Sequence, residues 1–163
     1  MADERRVGIV VGSRSDIAAA DKAAAVLSEL AVDSETRVIS AHRAPELLGR
    51  WIGSFDERGI EVVIAIAGLA AHLPGVVASQ TTRPVIGVPM PGGVADGLDA
   101  LLAIVQMPKG VPVATVGVGN GENAGLLAAS ILAVSDSGLR ERLAARRAGQ
   151  AAAIAADPAN EGL

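Results

Sequence analysis

Five short stretches rich in valine and isoleucine, at residues 7–11, 36–39, 61–66, 84–88 and 112–116, alternate with segments of helical spacing. No other feature constrains the chain as much. The first stretch, Val7-Gly8-Ile9-Val10-Val11, is apolar throughout and stops at Gly12, the pattern of a strand covered on both faces. Helical spacing occupies 15–30, 45–58, 72–80, 97–106 and 122–135, with Pro45 suited to the first turn of the second helix and Gly59 to its stop. Strands that alternate with helices are joined by right-handed crossovers. The expected fold class is therefore α/β: a three-layer αβα domain around a five-stranded parallel sheet in the flavodoxin-like order 2-1-3-4-5. Residues 139–156 predict an extra C-terminal helix beyond a core of about 6–135, expected to pack on a neighbouring subunit. The 163 residues read as a single domain, long enough to bury roughly 70% of its unfolded surface.

Composition narrows the function. Half the chain is hydrophobic, yet only Trp51 and Phe55 are aromatic, so nothing can stack bases or a flavin as aromatic platforms do. A net charge of −4 supplies no basic field for nucleic acid or anionic lipid, which leaves a small molecule as the expected ligand. Zero cysteines remove disulfides and thiolate chemistry, and two histidines are too few for a histidine-rich metal cage, so no metal is expected. The charged start before five apolar residues is no signal-peptide core, and no apolar stretch reaches about 18 residues; the expected location is cytoplasmic, with no membrane partner. A mean hydropathy of +0.42 is high for a monomer and points to contacts between copies of the chain.

In an open parallel sheet, ligands sit beyond the carboxyl ends of the strands. The clusters there are Gly12-Ser13-Arg14-Ser15-Asp16, Ser40-Ala41-His42-Arg43, the run from Gly68 through Ala70, Ala71, His72 and Leu73 to Gly75, and Gly117-Val118-Gly119-Asn120-Gly121. Both histidines of the chain fall on this one edge. The first cluster opens a helix, whose free N–H groups and dipole favour an anion, though Ser15 or Asp16 reads equally as an ordinary cap. Arg43 beside Ser40 offers a guanidinium fork to phosphate, and His42 is of the residue type suited to moving protons near neutrality. Each also has a bland reading, a solvated arginine and a hydrogen-bonded structural histidine. The glycine cluster after the fifth strand lacks dinucleotide-binding spacing and reads as turn chemistry. Receiver-domain and flavodoxin functions fail on their own requirements: the phosphoacceptor aspartate and lysine positions hold Gly68 and Thr115, and both aromatic residues lie inside a helix.

Four ordered motifs carry a family resemblance. They are Gly12-Ser13-Arg14-Ser15-Asp16, Ser40-Ala41-His42-Arg43-Ala44-Pro45, Ala70-Ala71-His72-Leu73-Pro74-Gly75, and the stretch from Gly97 through Leu102 to Gln106-Met107-Pro108. Together they resemble the bacterial N5-carboxyaminoimidazole ribonucleotide mutase family of purine biosynthesis, from about residue 7 to 147. The resemblance implies an isomerase that moves a carboxylate from the exocyclic nitrogen of a ribonucleotide to ring carbon C4, through CO2 held in the site and with no cofactor. It implies His42 as general acid and base. It places Ser13 and Asp16 at the ribose and phosphate end, Ser15, Ser40 and Arg43 at the phosphate, and Ala70, Ala71, His72 and Leu73 around the base and carboxylate. It also implies a homo-octamer. A direct carboxylase of the same fold is the alternative within the family, and a nucleotide-binding module without turnover is the alternative outside it. Where the family has a glycine-rich run, this chain has Ile66 and Leu69, expected to add bulk near the base pocket. The stretch 90–96 has no secure counterpart and reads as a cover or a variable turn.

Overall fold

The computed structural model describes residues 6–162; the charged start at 1–5 and residue 163 lie outside them. The strands are β1 (Arg6–Val11), β2 (Asp33–Val38), β3 (Ile60–Ala67), β4 (Val85–Pro89) and β5 (Ala114–Thr115). They form one parallel sheet in the order β2-β1-β3-β4-β5. The helices are α1 (Ile17–Glu29), α2 (Pro45–Gly53), α3 (Phe55–Arg58), α4 (Leu73–Ala78), α5 (Leu98–Val105), α6 (Gly121–Leu132) and α7 (Ser137–Ala155). The order is the flavodoxin-like one expected from the alternation.

The pleat divides the strand residues between two cores. Val7, Ile9 and Val11 of β1 and Val62, Ile64 and Ile66 of β3 join α1 and α6 on one face. Val10, Val63, Ala65 and Ala67 join α2, α3, α4 and α5 on the other, with Trp51 and Phe55 in edge-to-face contact at 4.8 Å. On the first face the helices nearly touch. A Cβ on Gly121 would stand 2.0 Å from the carbonyl oxygen of Ala19, and one on Gly125 would stand 2.7 Å from that of Ala23.

Three sequence-derived boundaries move. The helix expected over 45–58 divides at Ser54, whose hydroxyl donates back to the Trp51 carbonyl at 2.7 Å, and Gly59 at φ 64° then ends α3. The second strand begins at Asp33, and the fifth is only two residues long. The C-terminal helix has partners within its own chain. Leu139 is buried, Arg142 donates to the Leu30 carbonyl at the end of α1, and Arg140 donates to the Ala133 and Val134 carbonyls at the end of α6. These arginines satisfy helix-terminal acceptors that the helices cannot satisfy themselves. From Gly149 to Asp157 the surface of α7 and its end is exposed.

Candidate active site

The turns after β1, β2 and β3 converge beyond the carboxyl edge of the sheet, where they line a cleft of about 740 Å³. All ten residues singled out from the sequence border it: Ser13, Ser15, Asp16, Ser40, His42, Arg43, Ala70, Ala71, His72 and Leu73. Ser13 caps the 3-10 turn Arg14–Asp16, accepting from Ser15 N–H at 3.4 Å. Asp16 starts α1 without a side-chain capping bond, so the ordinary-cap reading fits Ser13 and not Asp16. Among the described residues the Asp16 carboxylate takes the Ser15 hydroxyl alone, at 3.1 Å, which leaves acceptor capacity for a ligand hydroxyl.

After β2, Ser40 organises the next turn. Its hydroxyl accepts from the Arg43 backbone N–H at 3.2 Å and from Arg43 Nε at 3.5 Å, so a hydroxyl, not a carboxylate, tethers the exposed guanidinium. Between them, His42 Nε2 faces His72 Nδ1 at 2.7 Å, with the rings nearly perpendicular. At that separation one ring nitrogen donates to the other, and the tautomers decide which. His72 is placed by the first turn of α4, with Pro74 just inside that helix.

The turn between β3 and α4 is strained. Leu69 at φ 56° and Ala71 at φ 44° both occupy the left-handed region, a conformation that costs an ordinary residue on the order of 1–2 kcal/mol. The Ala71 N–H closes the turn on the Gly68 carbonyl at 3.0 Å. The expectation that Ile66 adds bulk to the pocket is corrected: Ile66 is fully buried on the α1–α6 side of the sheet, because period-two alternation sends it there and sends Ala67 towards the cleft. Leu69 does line the cleft.

Seven further residues line the cleft; five belong to the turns and strand end already named, and the other two, Met90 and Pro91, open the stretch read from the sequence as a cover or a variable turn. They follow β4 directly, so the rule for strand carboxyl ends marks them as it marks the other turns. The glycine cluster after β5 does serve as a turn, with Asn120 capping α6 through Asn123 N–H at 2.9 Å.

The AIR carboxylase family model matches residues 6–153. The chain belongs to the AIR carboxylase family. A Mycobacterium tuberculosis member of this family, an N5-carboxyaminoimidazole ribonucleotide mutase, is 55% identical over 140 residues, covering 86% of this chain and 80% of that protein. The chloroplastic phosphoribosylaminoimidazole carboxylase of Vigna aconitifolia is 49% identical over 148 residues, 91% of this chain but 27% of the plant protein. A crystal structure of Treponema denticola PurE superposes with a TM-score of 0.88 at 27% identity, covering 98% of this chain and 99% of that one. Within the AIR carboxylase fold the cleft of this chain thus sits at the sheet edge where open α/β proteins place their ligands.

Proposed function

We propose that this chain is an N5-carboxyaminoimidazole ribonucleotide mutase, an isomerase of purine biosynthesis. The observation that carries the reading is the 2.7 Å contact between His42 Nε2 and His72 Nδ1, in the cleft that also gathers Ser13, Ser15, Asp16, Ser40 and Arg43. The serine hydroxyls and the Arg43 fork suit a phosphate, and Asp16 suits a ribose hydroxyl. The base and its carboxylate then lie against Ala70, Ala71, His72 and Leu73.

In the first half of the reaction the carbamate C–N bond breaks and its electron pair returns to nitrogen. His42 gives that nitrogen a proton, leaving the aminoimidazole ribonucleotide and CO2. In the second half C4 attacks the CO2 carbon. His42 then takes the C4 proton as the ring regains its aromaticity. One proton given and one regained balance the cycle, the work of a general acid and base. His72 takes up or supplies the hydrogen bond at His42 Nε2 as that charge changes. Retained CO2 lies beside its nucleophile at an effective concentration far above that in solution; well-oriented intramolecular reactions reach about 10⁵ M or more.

His42→Asn is the direct test. Turnover should fall by about 10²–10⁴-fold with ribonucleotide affinity nearly kept, and His72→Asn should cost less. A larger chemical defect in the His72 variant would reverse the assignment. At low bicarbonate the carbamate ribonucleotide should be the preferred substrate; preference for the uncarboxylated ribonucleotide, with a rate rising with bicarbonate, would make the chain a direct carboxylase. The assembly we expect is a cytoplasmic homo-octamer, supported by Val134 and Ile154, 78% and 68% exposed near the two ends of α7. Light scattering that returned a 16.3 kDa monomer would overturn it.

A further inference from the structure

One charged residue of the first cleft turn has no part in the site described above. Arg14 stands between Ser13 and Ser15 in the 3-10 turn Arg14–Asp16. Ser13, Ser15 and Asp16 line the cleft, whereas Arg14 is exposed beside it. The other arginines set it apart. Arg37 and Arg58 pair with Glu35, Arg83 with Asp56 and Glu61, and Arg146 with Glu29 and Glu122. Arg140 and Arg142 donate to carbonyls at helix ends. Among the described residues no hydrogen bond or ion pair holds the Arg14 side chain. Across the same cleft, Arg43 is tethered by the Ser40 hydroxyl and not by a carboxylate. Arg50 and Arg147 are likewise unpaired among the described residues, but they stand in the last turn of α2, away from the cleft, and on α7.

The charge balance of the cleft gives this free cation a use. Besides the two histidines, the ionisable residues that line it are Asp16 and Arg43, whose charges cancel. The whole chain carries a net charge of −4. A ribonucleotide with a phosphate and a carboxylate is a polyanion, so the net field of the molecule opposes its approach. An exposed cation beside the cleft acts over the screening length, about 10 Å at 0.1 M salt, and raises the rate of encounter without a fixed contact. A guanidinium also keeps its charge at every working pH.

We propose that Arg14 is a steering residue: its unpaired guanidinium draws the phosphate of the incoming ribonucleotide towards the turn from Ser13 to Asp16 and takes no part in the chemical step. The inference rests on the ribonucleotide reading given above and adds to it a residue outside the cleft lining. Arg43 and Arg14 then divide the work. Arg43, tethered by Ser40, is placed for a fixed contact, and Arg14 acts through its field before that contact forms.

The experiment is kcat/KM for the carbamate ribonucleotide between about 0.01 M and about 1 M ionic strength, over which the screening length falls from about 30 Å to about 3 Å. The chains compared are wild type, Arg14→Gln, Arg14→Lys, Arg14→Glu and Arg50→Gln. At low ionic strength Arg14→Gln should lose about threefold to tenfold in kcat/KM, carried by KM and not by kcat. Arg14→Glu, which reverses the charge, should lose more, and Arg14→Lys should stay near wild type. All should converge at the highest salt. Arg50→Gln removes the same unit charge away from the cleft and should follow wild type throughout. Both arginines are exposed, so the melting temperatures should agree. If Arg14→Gln matches wild type at low ionic strength, the proposal is overturned and the mutase reading stands. A loss that persists at the highest salt would make Arg14 a fixed contact, and a loss in kcat would place it in the chemistry; each overturns steering. An equal loss in Arg50→Gln would trace the effect to net charge and overturn it too. A wild-type chain that does not convert the carbamate ribonucleotide would defeat the reading of the reaction itself, before any variant is compared.

Discussion

The two faces of the sheet seat their helices differently. On the α1–α6 face the two helices meet through alanine and glycine, with Gly121 and Gly125 pressed on the backbone of Ala19 and Ala23 beside the larger Leu27, Leu30 and Leu132. The other face is closed by larger groups, among them Trp51, Phe55, Leu48, Leu73 and Ile104, carried on helices that are shorter than α1 and α6. Backbone-to-backbone contact leaves no slack on the first face. On the second, the long turns Ser40 to Ala44, Gly68 to His72 and Met90 to Gly97 have room to turn side chains into the cleft. The fold therefore separates a rigid support from a face that tolerates strain and function.

The strongest way to break this contrast is Gly121→Ala. A single methyl group would have to displace the Ala19 carbonyl, so urea denaturation should show a loss of about 3 kcal/mol; a neutral result would mean that the two helices can part without cost. Arg43→Leu tests the other face by affinity. The substrate or product ribonucleotide should bind more weakly by about 1.5–3 kcal/mol in calorimetry, with the melting temperature unchanged, because the residue is exposed and its side chain is tethered through the Ser40 hydroxyl at 3.5 Å. Gly49→Ala in α2 sharpens the comparison from the opposite side. The new Cβ meets nothing closer than Gln80 Oε1 at 3.5 Å, so the same substitution that harms α6 should stabilise α2 by about 0.5–1 kcal/mol.

The smallest effect is expected at Glu35, at the sheet edge beside Trp51. Burial works to raise its pKa, but the Trp51 indole N–H at 2.7 Å and the guanidinium groups of Arg37 and Arg58 outweigh burial and hold it below the ordinary 4.5. A carboxylate depressed in the folded state contributes stability above its unfolded value and loses that contribution as the pH falls through the lower folded value. The stability difference between wild type and Glu35→Gln should therefore be constant near neutrality, at under about 1 kcal/mol, and close below pH 4.5. A difference that stayed open in acid would show that the carboxylate charge is not what holds this edge.

Much of this arrangement was legible in the sequence because buried strands and strand-end turns leave direct marks. Val7 to Val11 reads as a two-sided strand and is one, and the rule for strand carboxyl ends collects every candidate into a single cleft. Other features depended on tertiary contacts that no local pattern encodes. The break at Ser54 comes from a hydroxyl bonding back to Trp51 in a segment whose apolar spacing continues across it. The docking of α7 depends on Arg142 reaching Leu30, 112 residues away in sequence. The direction of Ile66 is readable from alternation along β3, whereas its bulk alone says nothing about which face it takes. Met90 and Pro91 read from the sequence as part of a cover or a variable turn, because the stretch they open has no secure family counterpart, although their place after β4 marks them.

The contact between Gly121 and Ala19 has a consequence for ligand design. With no side chain between them, α1 and α6 form one slab, and the turn from Ser13 to Asp16 that starts α1 is mounted on it. A fragment bearing a phosphonate or carboxylate and aimed at that turn meets donors already fixed in place, so little of its interaction energy is spent on ordering the protein. Groups grown from it towards Leu69 reach a wall shaped by a leucine in a glycine-like conformation, and selectivity for this chain is to be sought there.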